Sequence, residues 1–308
     1  MTSPPLPAPG LRNWLLICSL GVIWGSAFMC MSIVLQAYSP LTVAALRVVL
    51  AAFVMVTLGW AVGQPVTAIL RAGFRGVVFV GTIGLVTVTL PFLLLTWGLQ
   101  HVPSAFAGVA MGAVPLMILP LAYIFSPEEG IGPRRILGVA IGFLGLALLV
   151  GPGALEQTSQ MTRYGQMACI GAAMCYGIGS IVTRRAPPVP PLAFAAGSMC
   201  FGAVLMVPAM LIVDGVPTWV GGFEGWTLLY MAAIPTGIAS AIRVSVVQSA
   251  GSVFMSLTSY QVPIWAVIFG VVLLGENLPS QIWMAVALIL AGMAISQSRA
   301  LIDLFRSA

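Results

Sequence analysis

The sequence predicts an all-α integral membrane protein of ten transmembrane helices. They form two inverted-topology five-helix repeats, with both termini on the cytoplasmic side. Three observations predict this. The 308 residues are 60% apolar and only 6% charged, whereas soluble domains carry about 25% charge, and mean hydropathy is +1.09. The apolar residues fall into runs near the ~20 residues that a helix needs to cross a hydrocarbon core of about 30 Å. These runs do not alternate as barrel strands do, so helices are the spanning element. Long phrases also recur at a fixed offset: VPLMILPLAYIFSPEE in the first half is echoed by VPIWAVIFGVVLLGEN in the second. Pro115 and Pro263 are 148 positions apart, as are Glu128 and Glu276.

Charges and turn residues divide the chain. Residues 1–13 are a Pro-rich, disordered cytoplasmic tail that leads into the first span. That span is too long for a cleaved signal core and has no small-residue cleavage site. The first repeat covers 14–151, with spans at 14–36, 40–62, 74–98, 103–124 and 135–151. The second covers 164–297, with spans at 164–183, 191–213, 225–247, 251–274 and 280–297. Residues 298–308 form a cytoplasmic tail. The short connections leave no room for a further soluble domain.

All 12 basic residues are arginine. With the N-terminus inside, Arg12, Arg71, Arg75, Arg134, Arg135, Arg184, Arg185, Arg299 and Arg306 fall in cytoplasmic segments and Arg163 alone falls outside. This follows the positive-inside rule, so the net charge of +5 is topological. No basic groove with interleaved aromatics points to nucleic acid. Trp14, Trp60, Trp97, Trp219, Trp226 and Trp283 lie near span ends, as interfacial anchors do. The five cysteines (Cys18, Cys30, Cys169, Cys175, Cys200) sit in apolar runs without CxxC spacing and read as packing thiols. No metal site or cofactor is implied.

The duplication extends beyond the VP…E phrase. PLTVAALRVVLAAFVM (40–55) resembles PLAFAAGSMCFGAVLM (191–206), Trp24-Gly25 matches Tyr176-Gly177, Gln100 matches Gln248 and Ser104 matches Ser252. A unit of five spans is odd, so the second copy is inverted. The arginines agree: copy one has pairs in loops 2–3 and 4–5, and copy two has its pair in loop 6–7. Inverted repeats are typical of secondary transporters, with the site near the midplane between the halves.

WGSAFM in the first span, PLTVAALRVVLAA in the second, and SLTSYQVPIWAVIFGVVLLGENLPSQIWMAVALILAGMAI near the end resemble the drug/metabolite transporter superfamily, in its EamA-type, ten-span branch. The resemblance covers residues 14–297. It implies a central cavity lined by spans 1, 3, 4, 6, 8 and 9, with spans 5 and 10 peripheral. It also implies export of amino acids or related metabolites, or import of vitamins and nucleotide-like compounds, in a bacterial inner membrane.

Intramembrane charge is costly and usually functional. Arg47 and Arg243 are the two charges clearly inside spans. Arg47 lies about 10 Å from the outer end of span 2, near enough to snorkel, and span 2 is not among the lining spans. Arg243 lies on lining span 8 and is the candidate for a substrate carboxylate or phosphate. No acid lies deep in a span and His101 is in a loop, so uniport or exchange fits better than a proton relay. Aromatic Trp24, Tyr176, Tyr260 and Trp265, with Thr87, Thr89, Thr236, Ser240 and Gln261, are the remaining pocket candidates and suit a small organic solute. Pro91, Pro115, Pro235 and Pro263 lie mid-span and are hinge candidates. Glu128 and Glu276 follow one helix and precede the next, where each can accept from unpaired N–H groups at the following helix start. GVIWG (Gly21, Gly25) and GVAIG (Gly138, Gly142) allow close helix approach, which does not decide between monomer and dimer. A membrane-embedded enzyme needs clustered Asp, Glu, His or a metal, which the sequence lacks. A non-transporting subunit has no use for deep polar aromatics.

Overall fold

The computed structural model describes residues 10–125, 132–151, 159–183 and 185–298, which are helical with no strand among them. Helix α1 spans Leu11–Val34 and α2 Pro40–Ala61. Ser39 caps α2: its hydroxyl accepts from Thr42 N–H at 3.1 Å, with Pro40 in the first turn. A 3₁₀ segment (Val66–Ala72) leads into α3 (Gly73–Gly84), a π-helical segment π1 (Leu85–Thr89) and α4 (Leu90–Gly98). Then come α5 (Ser104–Gly112), α6 (Val114–Phe125) and α7 (Pro133–Val150). The remainder is α8 (Gln160–Thr183), α9 (Pro191–Val213), α10 (Phe223–Met231), a second π segment π2 (Ala232–Ile238), α11 (Ala239–Ser256), α12 (Thr258–Leu274) and α13 (Ser280–Ser296).

Among the described residues, eight helices are long and apolar enough to cross a membrane, and two shorter apolar ones cover Ser104–Ile118 and Ser280–Ser296. The expected boundaries agree with the observed ones to within a few residues. Between the eighth and ninth spans α11 breaks at Gly251 (φ 85°, ψ 165°), which separates Phe223–Gly251 from Phe254–Leu274. A side chain rarely tolerates that φ, so glycine sets where the chain turns.

The most extensive pairings are α7 with α13, α2 with α9 and α1 with α12, followed by α5 with α12. Helix α8 packs on α4 and α6. Apolar rows meet at small residues. The Gly138 face of α7 lies on the Gly292 carbonyl of α13, where a Cβ would come within 2.5 Å of it. Gly21 of α1 accommodates the Gln261 side chain of α12, 2.6 Å from where a Cβ would stand. The GVIWG and GVAIG faces are thus both used inside the chain. Trp60, Trp219, Trp226 and Trp283 are exposed, as anchors require. Trp14 instead packs edge-on against Phe254 at 4.9 Å.

Candidate functional site

A cavity of about 1340 Å³ lies between the two halves. Its deep wall holds Trp24, Arg47, Thr87, Phe92, Tyr176 and Thr236. From there it passes Ser240, Arg243 and Gln248 and reaches the end of the bundle that carries Arg134, Arg135, Pro187 and Gln297.

Arg47 is where the expectation fails. It is 6% exposed and points inward instead of snorkelling. Its Nε donates to Thr236 Oγ1 at 2.7 Å, and its guanidinium lies over the Phe92 ring, 4.2 Å from the centroid. Thr236 Oγ1 in turn donates to the Met231 carbonyl at 2.9 Å. Pro235 has no N–H to give the Met231 carbonyl four residues earlier, and the Thr236 hydroxyl takes up that carbonyl. Span 2 therefore lines the cavity through Arg47, and span 7 does so through Phe194, Ser198 and Met199. The reason is the α2–α9 contact, which carries both helices to the cavity wall.

Arg243 is exposed toward the cavity it lines. Tyr176 lines the same cavity as both guanidinium groups. Trp24 is held by a 3.0 Å bond from Nε1 to the Pro235 carbonyl, which belongs to π2. Thr87 belongs to π1 and its hydroxyl is returned to the Ile83 carbonyl at 2.8 Å. Ser240 returns its hydroxyl to Thr236 O at 2.5 Å. Each half thus places a π segment against the cavity: π1 through Thr87 and Val88, π2 through Pro235 and Thr236. Such segments concentrate at functional positions.

The opposite end is held shut. Glu276 accepts from the N–H groups of Ser104 at 2.6 Å and Ala105 at 3.1 Å. Asp214 accepts from the hydroxyls of Ser39 and, at 2.8 Å, Thr42. Tyr38 Oη accepts from Val220 N–H at 2.9 Å. Its position in the sequence has Glu276 serving the following helix, α13. It serves α5 instead, because its own N–H returns to the Gly270 carbonyl at 2.9 Å and turns the carboxylate back. Glu128 lies outside the described residues, as do residues 1–9 and 299–308 of the expected tails.

The sequence model of the EamA-like transporter family matches residues 12–151 and 163–297. The chain belongs to the EamA-like transporter family. It is 26% identical over 286 residues to the "Uncharacterized inner membrane transporter YedA" of Escherichia coli (strain K12), covering 90% of this chain and 88% of that one. It is 22% identical over 280 residues to the "Uncharacterized transporter YoaV" of Bacillus subtilis (strain 168), covering 90% and 94%. A solved crystal structure superposes with a TM-score of 0.68 at 23% identity, over 94% of this chain and 99% of that one, which shows a shared fold. With its apolar helices, the chain is an integral, multi-pass membrane protein. The family and these relatives carry transporter names, not enzyme names.

Within this EamA-like fold, not every sequence candidate reaches the cavity. Trp24, Thr87, Tyr176, Thr236, Ser240 and Arg243 line it, with Pro115 and Pro235. Thr89 is buried beside it with Oγ1 unpartnered among the described residues. Trp265 stacks on Phe269 at 5.6 Å along α12, and Gln261 packs into Gly21. Tyr260 packs against the core with a buried hydroxyl that has no partner among the described residues. Gln261 and Trp265 belong to the α1–α12 contact, at Gly21 and Gly25, and none of the three is among the residues that line the cavity. Of the other hinge candidates, Pro91 follows π1 by two residues, and α12 runs through Pro263, the helix break falling earlier at Gly251.

Proposed function

We propose that the chain moves a small organic metabolite across a bacterial inner membrane by alternating access. The observation that carries this is the large cavity open toward one end, with the other end closed by Glu276, Asp214 and Tyr38. In this reading the ten apolar helices are ten spans in two inverted repeats, with both termini cytoplasmic and the cavity open to the cytoplasm. The contact pattern supports the inversion. Span pairs 2–7, 4–9 and 5–10 each map onto themselves, and pair 1–9 maps onto 6–4. The π segments also fall at corresponding positions, π1 at 85–89 and π2 at 232–238.

Transport then requires the outer contacts to part while the arginine-bearing end closes. The π segments are the bending points, because their hydrogen-bond ladder is already irregular. The substrate class favoured by the polar deep wall is an amino acid or amino-acid-like compound, carried outward, with Arg243 on its carboxylate. Import of a vitamin or nucleotide-like compound is the second reading, since an alternating-access carrier runs in either direction. Counterflow in proteoliposomes against amino acids, vitamins and nucleotides tests this. Saturable exchange of one class is expected; absence of saturable flux for every class overturns the transport reading.

A further inference from the structure

We propose that the cavity selects a net organic anion over a zwitterion or a cation, with Arg47 and Arg243 together supplying the counter-charge. This rests on the transport reading but departs from its free-amino-acid arm: of amino-acid-like compounds it keeps those with a net negative charge, such as N-acyl derivatives. Arg47 is held on three sides: Nε on Thr236, one face on Phe92, and its stem within α2. Nη1 is buried and has no partner among the described residues. Arg243 stands farther along the same wall, and among the described residues no hydrogen bond or ion pair holds it. Among the described residues that line the cavity there is no aspartate or glutamate. Two guanidiniums at the wall of a low-dielectric cavity therefore lack a counter-ion among the described residues, and the substrate brings the negative charge.

The same wall opposes an ammonium group. A free amino acid would place its cation among like charges with no carboxylate to meet it. A carboxylate or phosphate monoester on an apolar body meets both needs. Its oxygens pair with guanidinium edges, and its body fits between Trp24, Phe92 and Tyr176. Arg47 is fixed before binding, so little side-chain freedom is lost on pairing. Phosphate and carboxylate share this chemistry, and the test separates them.

The test uses the full chain in detergent, titrated by calorimetry with compounds that share a phenyl body. These are 3-phenylpropionate, N-acetylphenylalanine, phenyl phosphate, zwitterionic phenylalanine and cationic phenethylamine. Binding of at least one anion, about tenfold or more tighter than phenylalanine, with no binding of the amine, is expected. Whether phosphate or carboxylate binds tighter decides the head group. Arg243→Gln should weaken the anion about 10- to 100-fold and leave phenylalanine little changed. Arg47→Gln should act alike, and Arg243→Gln keeps the test intact if loss of the Thr236 bond unfolds that variant. Equal or tighter binding of phenylalanine or the amine overturns the proposal, as does no binding of any anion at millimolar concentration. Counterflow of the same compounds separates the two readings. Exchange of phenylalanine but of no anion leaves transport standing and removes the charge class. Anion binding without exchange supports the site and removes transport.

Discussion

Removing the Glu276 carboxylate should loosen the closed end of the bundle. The α5 helix begins after Pro103, whose side chain caps nothing, so its first N–H groups depend on a distant acceptor. Glu276 provides that acceptor through 2.6 and 3.1 Å bonds to Ser104 and Ala105. Hydrogen bonds to a charged group contribute about 1.5–3 kcal/mol net. The carboxylate is half-buried, so solvent screening discounts that figure. The helix N-terminus adds a favourable dipole of a few tenths of a kcal/mol or more, about 0.3–1 at exposed sites. Glu276→Ala should therefore cost about 2 kcal/mol, at the upper end of the range for lost N-caps. That corresponds to about a 30-fold shift in the opening equilibrium of this end, since about 1.4 kcal/mol is tenfold. Glu276→Gln keeps one acceptor oxygen and should lose less. The assay is hydrogen exchange of peptides covering residues 99–112 in the purified protein, read beside its detergent melting temperature. Faster exchange at the start of α5, graded Ala over Gln, is expected. Unchanged protection and melting temperature in Glu276→Ala would refute the reasoning.

Thr236→Val removes both the acceptor for Arg47 Nε and the donor to the Met231 carbonyl. Leaving two buried polar groups unpaired should cost about 2–5 kcal/mol, seen as a lower melting temperature, and Thr236→Ser should recover most of it. Gly138→Leu forces a side chain into the Gly292 carbonyl and Ser296 backbone. The overpacking should cost about 1–3 kcal/mol, whereas the same change at exposed Gly132, where a Cβ meets nothing within 4 Å, should be near neutral. A reporter fused after Ala308 should give a cytoplasmic signal; a periplasmic signal overturns the arginine-based orientation.

Much of the fold is legible in the sequence because its punctuation is chemical. Pro40, Pro133 and Pro191 open helices, charges and glycines close them, and apolar length does the rest. The site is only partly legible. Arg243 stands out in the sequence because a charge within an apolar span is too costly to keep unless something there uses it. For Arg47, distance to the span end permits snorkelling, and distance is all that the sequence offers. Its Phe92 and Thr236 partners, 45 and 189 positions away, are invisible to that reasoning. The π segments are partly signalled by proline, since Pro235 lies inside π2 and Pro91 two residues after π1, but a proline does not by itself specify a π turn.

Hydropathy and backbone chemistry along the chain place it in a membrane and set where its helices start, and the recurring phrases point to one unit used twice. Which deep polar groups share a cavity and which lock helices together depends on packing. Gln261 and Trp265 went to the α1–α12 contact, and Arg47 went to the cavity wall. A helix presents every face in sequence, and only its neighbours determine which face meets water, lipid or another helix. The same holds for Glu276. Its place after a helix identified it as an acceptor, but the turn at Gly275 aimed it at a helix more than 170 residues earlier.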